Sequence, residues 1–162
     1  MNAIDMLKQD HRMVEELFEE IEATNDATER EELFIELADA LAVHSAIEEN
    51  IFYPACKNED TEETLLEALE EHLAAKRLLA DLLDMDPIDE VFMAKIKVLK
   101  ESILRHVEEE EGEILPEAQR LLGDDMLMAL GNEMIVKRVE LEMKGDPRMQ
   151  IPLETEGAPP LD

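Results

Sequence analysis

Apolar residues recur every three or four positions through most of the chain, the spacing that places them on one face of an α-helix. Asn2 can cap the first of these stretches, and turn or capping residues separate it from the later ones. The pattern predicts five helices, with approximate bounds 3–23, 27–53 or slightly beyond, 62–84, 86–121 and 124–144. The remaining segment, 145–162, holds four of the seven prolines, so we expect an extended or disordered tail there.

The first four predicted helices are long and their connections are short, which favours an all-α, antiparallel up-down four-helix bundle. In an antiparallel hairpin, residues equally far from the turn face each other. Each helix carries one histidine, and the turns lie near the midpoints between successive histidines, so all four should lie in one layer: His11, His44, His72 and His106. We expect residues 1–144 to form one domain, with the fifth helix packed outside the bundle.

Two of these histidines begin a repeated motif. His44 and His106 are each followed by glutamate four and five residues later and by proline ten residues later. Residues four apart lie on one face of a helix, so each motif presents an imidazole beside a carboxylate, from Glu48 or Glu110. A buried carboxylate needs a positive partner, and no arginine lies on these faces at that level. The motifs therefore indicate a metal site.

The donor types restrict the metal. Imidazole and carboxylate without thiolate favour iron or manganese over structural zinc. Four histidines and two glutamates suit two ions, each held by two histidines and bridged by Glu48 and Glu110. Such a pair would keep coordination positions open for a reactive small molecule.

Over residues 1 to about 120 these motifs resemble the hemerythrin-like, or HHE cation-binding, family. The resemblance implies a non-haem di-iron centre with an oxo or hydroxo bridge, whose ligands are His11, His44, Glu48, His72, His106 and Glu110. The stand-alone format, the Met-Asn-Ala start, the Phe-Tyr-Pro segment and the fifth helix are similar to a bacterial branch associated with hydrogen peroxide breakdown.

One position departs from the oxygen-carrying hemerythrins, which have a second histidine one turn after the histidine of the third helix. Here that residue is Lys76, which cannot be a ligand while protonated. One iron is then less saturated, which argues against simple reversible oxygen carriage. Tyr53, the only tyrosine, could supply the missing donor, hydrogen-bond to a ligand, or simply pack. Tyr53 lies half a turn away from the face of His44 unless Pro54 distorts the helix.

Further carboxylates flank the motifs. Glu49 and Glu111 should either face solvent or orient a histidine ring. We expect Glu15, Glu108 and Glu109 to be solvated.

Charge and composition limit the partners. With 43 acidic and 15 basic residues, the formal charge of −28 disfavours nucleic acids and anionic membrane surfaces. The chain has no apolar run of ~20 residues and no signal-peptide pattern at its start. A single cysteine, Cys56, excludes an internal disulfide, so we expect a cytoplasmic protein.

Two classes of function remain open. The first is a catalase-like di-iron enzyme acting on hydrogen peroxide or dioxygen, in which Tyr53 or Lys76 could donate a proton. The alternative is a protein that binds or senses oxygen, nitric oxide or iron without turnover, or stores iron. In a binding or sensing protein, the acidic surface and the tail could dock on a protein partner. The sequence does not separate these functions.

Overall fold

The computed structural model describes all 162 residues, and its regular structure is entirely helical. In chain order the helices are α1 (Ala3–Ala23), α2 (Ala27–Ile47), α3 (Tyr53–Cys56), α4 (Glu62–Leu83), α5 (Glu90–Glu109) and α6 (Leu115–Lys144). Three side chains cap the N-termini of α1, α2 and α5 by accepting hydrogen bonds from backbone N–H groups: those of Asn2, Asp26 and Asp89. The long helices α1, α2, α4 and α5 confirm the predicted up-down four-helix bundle.

A turn of π-helix interrupts the second and fourth long helices at the same place in each motif. The turns, π1 (Glu48–Phe52) and π2 (Glu110–Ile114), begin at the motif glutamates and end two residues before Pro54 and Pro116. Proline has no N–H and its ring collides with the carbonyl four residues earlier, so a widened turn accommodates it without ending the helix. An inserted residue also rotates the following side chains by about 100° around the axis.

Two apolar clusters fill the bundle on opposite sides of the histidine layer. One includes Leu7, Ile47 and Leu69, and the other includes Phe18, Leu37 and Phe92. The long helix α6 packs outside, against α1 and α2, and its residues Leu127, Leu130 and Met134 extend the first cluster. Gly123, with φ 73°, kinks the chain between the predicted fourth and fifth helices. No helix combines the length and the apolar character needed to cross a bilayer.

The C-terminal segment, predicted to be extended or disordered, packs against the bundle and is partly helical. Residues Pro147–Glu154 form a 3₁₀ helix that packs on α2 and α4, and Ile151 and Leu161 are buried. Arg148 donates hydrogen bonds to Asp39, and Arg77 donates to backbone carbonyls of the segment. The prolines exclude an α-helix, but scattered apolar residues still dock, which a search for helical periodicity does not detect.

Candidate metal centre

The six residues of the predicted metal site converge in one layer between the two apolar clusters. None is more than 8% exposed: His11, His44, Glu48, His72, His106 and Glu110. Glu48 Oε1 lies 3.1 Å from His44 Nε2 and 3.2 Å from His72 Nε2. Glu110 lies 3.2 Å and 3.3 Å from the Nε2 atoms of the other two histidines. The midpoint argument from the sequence therefore places the histidines correctly.

The donor atoms divide into two overlapping groups, and within each group all of them lie within 4.8 Å of one another. The first group contains His11, His44, Glu48 and Glu110, and the second contains Glu48, His72 and His106. Each group has two histidines, and the Glu48 carboxylate belongs to both. This arrangement fits a cation-binding site whose two donor groups share Glu48.

Unpartnered polar atoms at the centre test whether a cation fits. Both carboxylate oxygens of Glu48, Oε1 of Glu110 and Nε2 of His11 are buried and form no hydrogen bond of suitable angle, although three of these atoms lie only 3.1–3.2 Å from a neighbouring nitrogen or oxygen. A buried polar atom left unpaired costs about 1–3 kcal/mol, so a folded protein rarely keeps four such atoms together. The atoms point to a shared centre and are hard or borderline donors, so the residues fit a divalent or trivalent metal ion.

A second ring of carboxylates surrounds the histidines and orients them. Each Nδ1 lies at hydrogen-bond distance from a carboxylate: His11 from Glu111 at 2.7 Å, His44 from Asp10 at 3.0 Å, His72 from Glu49 at 2.7 Å and His106 from Glu71 at 2.7 Å. An ionised carboxylate only accepts, so each Nδ1–H donates and each Nε2 faces the centre.

These outer carboxylates follow the internal repeat of the chain. Glu49 and Glu111, each one residue after a motif glutamate, orient histidines, which decides between the two alternatives left by the sequence. Asp10 and Glu71 were missed by the sequence analysis. They could have been found, because an acidic residue directly precedes the histidine in both α1 and α4. Glu108 and Glu109 are exposed, as expected, and Glu15 pairs with Arg12 at 3.4 Å outside the centre.

Neighbouring carboxylates raise the pKa values of His44 and His106. Burial alone would lower the pKa of His44, but the Glu48 and Asp10 carboxylates raise it well above its usual value. Burial would likewise lower the pKa of His106, but the Glu110, Glu71 and Glu48 carboxylates raise it to about 10. Burial alone would raise the pKa of Glu110, yet its histidine neighbours hold it well below the usual range. The centre therefore concentrates negative charge that attracts protons or metal ions.

Basic side chains support three of the four outer carboxylates. Arg138 of α6 donates to Asp10 at 2.7 Å, and Arg12 donates to Glu111. Lys76 Nζ lies 2.9 Å from Glu49 and 3.0 Å from Glu154 of the 3₁₀ helix. The Lys76 ammonium therefore forms ion pairs at the edge of the centre and is not directed at the metal donors.

Tyr53 lies inside the centre. Its side chain is fully buried, and its hydroxyl donates to Glu110 Oε2 at 2.5 Å and lies 3.3 Å and 3.4 Å from the Nε2 atoms of His72 and His106. The rotation introduced by π1 brings this side chain inward, which an ideal helix would not. Burial, together with the Glu110 and Glu48 carboxylates, raises the pKa of Tyr53 well above its usual value. Iron ligation by this oxygen remains a prediction.

The family model for the hemerythrin HHE cation binding domain matches residues 2–118. The chain belongs to this hemerythrin family. A hemerythrin HHE cation binding domain-containing protein from Mycobacterium kansasii has a similar solved structure, with a TM-score of 0.76 and 26% identity over 95% of this chain and 91% of that one.

Curated relatives of this hemerythrin-family chain include an uncharacterized protein of Mycobacterium tuberculosis, 30% identical over 91% of this chain and 90% of that protein. A DNA nickase of Nostoc is 24% identical over 89% of this chain, and the match covers 41% of that protein. The family and the buried His/Glu cluster together support a cation-binding site.

Proposed function

We propose that this hemerythrin-family protein is a non-haem di-iron protein that decomposes hydrogen peroxide, converting two peroxide molecules into two of water and one of dioxygen. The observation that carries the proposal is the set of buried, unpartnered donor atoms on Glu48, Glu110 and His11. Their convergence with three further histidines in two overlapping groups supports two ions. Imidazole and carboxylate donors without thiolate support iron.

Two iron ions held by these six residues would supply the electron exchange that peroxide disproportionation needs. The protein would position the reaction and handle protons. The Tyr53 hydroxyl lies within 3.4 Å of Glu110, His72 and His106, so it can donate a proton at the centre or become a ligand after losing it. Lys76 is committed to Glu49 and Glu154, so Tyr53 is the better candidate for the proton donor.

Access and composition support a small reactive molecule as substrate. A cavity borders all four histidines, so a small solute can approach the centre. Lys76 stands where an oxygen-carrying hemerythrin has another histidine ligand, which leaves fewer protein donors for one ion. DNA is a poor candidate substrate despite the nickase relative, because the chain has 43 acidic and 15 basic residues.

The test is oxygen evolution from hydrogen peroxide by the iron-loaded protein, measured with an oxygen electrode after chelation of free iron. We expect sustained evolution at half a mole of dioxygen per mole of peroxide consumed. Glu48→Ala is the inactive control, because it removes the carboxylate shared by both groups. If the iron-loaded protein instead binds dioxygen or nitric oxide reversibly and leaves peroxide intact, the alternative of a binding or sensing protein replaces this proposal.

A further inference from the structure

The cavity beside the histidines is much larger than peroxide requires. Its volume is about 520 Å³, within the range of roughly 300–1,000 Å³ that is usual for pockets that bind small organic molecules. One water molecule occupies about 30 Å³ in the liquid. The cavity extends from the metal layer to the 3₁₀ helix Pro147–Glu154, and therefore has an inner and an outer end.

The inner part of the cavity is apolar. Beyond the histidines it is lined by Val14, Leu41, Leu79 and Ile103, which are all buried and which come from the four different helices of the bundle. Apolar cavities of this kind hold water poorly and bind hydrocarbon groups. The inner part thus suits an alkyl chain.

The outer part contains lysines that can contact a ligand. The acidic residues of the lining already have partners: Glu71 contacts His106, Glu154 contacts Lys76, and Asp146 contacts Arg148. Two lysines of α6 also line the cavity. Lys144 forms no ion pair, and Lys137 approaches only Glu140, at 3.6 Å.

These two lysines lie seven residues apart and therefore share one face of α6. The protein as a whole is strongly acidic, with a net charge of −28. Two lysines beside an apolar cavity therefore distinguish this place from the rest of the surface. The lining as a whole balances three lysines against three acidic residues, so it repels an anionic group less than the remaining acidic surface does, and Lys137 and Lys144 can contact such a group.

We propose that the cavity binds a monoanionic amphiphile of the medium-chain fatty-acid class. The alkyl chain occupies the apolar inner part, and the carboxylate is held by Lys137 and Lys144 at the outer end. The proposal does not rest on peroxide turnover, because the contacts come from the apolar walls of the cavity and from α6. The two share the cavity, so a bound amphiphile would lie in the path of a solute that approaches the histidines.

The first test is calorimetric titration of the full-length, iron-loaded protein with sodium decanoate below its micellar concentration. Decyltrimethylammonium, which has the same alkyl length and the opposite charge, is the matched probe. We expect saturable binding of one decanoate per chain and at least about tenfold weaker binding of the cation. Equal affinities, or no binding of decanoate, would overturn the proposal without affecting the peroxide assay.

The second test separates the two ends of the site. The double variant Lys137→Glu/Lys144→Glu should bind decanoate at least about tenfold more weakly, whereas Lys97→Glu, at an exposed lysine away from the cavity, should bind it normally. Ala75→Leu fills part of the cavity and should also weaken binding, while Ala74→Leu, on the exposed side of the same helix, should not. Unchanged affinity in the double lysine variant would show that the carboxylate lies elsewhere and that the proposed site is wrong.

Discussion

The two halves of the bundle, built around His44–Pro54 and His106–Pro116, share a backbone plan and differ in single side chains. Both halves have the same spacing, a π turn that starts at the motif glutamate, and a carboxylate behind each histidine. Nine residues after the histidine, however, one half has Tyr53 and the other has Leu115, and both are buried. The repeat therefore builds a nearly symmetric cage, and Tyr53 places a polar group on one side of it.

A second difference concerns the basic side chains that pair with the outer carboxylates. Glu49 is 7% exposed and pairs with Lys76, which is 6% exposed, whereas Glu111 pairs with Arg12, which is 52% exposed. The same carboxylate–histidine contact is thus supported by a buried ion pair in one half and by a surface ion pair in the other. The two pairs should differ in strength, because solvent screens the second one.

The largest expected effect comes from the two bridging candidates. Glu48 belongs to both donor groups and Glu110 to one, so Glu48→Ala should lose both ions, whereas Glu110→Ala should keep up to one ion beside His72 and His106. Iron content per chain, measured by atomic emission after desalting, checks this. Glu15→Ala, which alters a glutamate outside the centre, should keep full occupancy. Equal retention in the Glu48 and Glu110 variants would contradict the assignment of Glu48 as the shared ligand.

The ion pairs can be compared by matched substitutions. Lys76→Met leaves Glu49 buried beside His72 alone and detaches Glu154, so it should lower the free energy of unfolding by about 3–5 kcal/mol. Arg12→Met removes a screened surface pair and should cost at most about 1 kcal/mol. Urea unfolding of the metal-loaded protein measures both values. Equal losses of unfolding free energy in the two variants would mean that burial does not make one ion pair stronger than the other.

The outer carboxylates, which both halves share, predict the pH dependence. Protonated His44, His72 and His106 stabilise the metal-free protein, because their pKa values are raised on folding. For His106 this contribution is complete below the unfolded value of about 6.5 and is lost as the pH rises through about 10. Metal ligation requires neutral imidazole, so iron uptake near pH 7 should release protons and strengthen with rising pH. Uptake without proton release, followed with an indicator dye, would contradict this.

The smallest effect on stability is expected from Tyr53→Phe, which removes one hydroxyl and its hydrogen bond, worth about 1 kcal/mol, and keeps the ring. If the oxygen ligates ferric iron, the variant should lose a visible charge-transfer band and change its peroxide turnover while its iron content stays constant. Absorption spectra of the two iron-loaded proteins decide the matter. An identical spectrum with identical turnover would place Tyr53 outside the coordination sphere.

The bundle and the convergence of the six donor residues could both be predicted from the sequence, because helical periodicity and hairpin symmetry determine them. The sequence was not sufficient for Tyr53, since the direction of that side chain depends on a π turn that follows from a proline only indirectly. Asp10 and Glu71 were overlooked because isolated acidic residues on an acidic chain carry little information. The docking of the C-terminal segment depends on long-range contacts such as Arg148–Asp39, which leave no periodic pattern.

The central expectation for this protein is two metal ions, one in each half of the cage. Anomalous diffraction from crystals of the iron-loaded protein, recorded on both sides of the iron absorption edge, tests this. We expect two iron peaks, one beside His11 and His44 and the other beside His72 and His106, with the Glu48 carboxylate between them. A single peak, or peaks away from these histidines, would contradict the account.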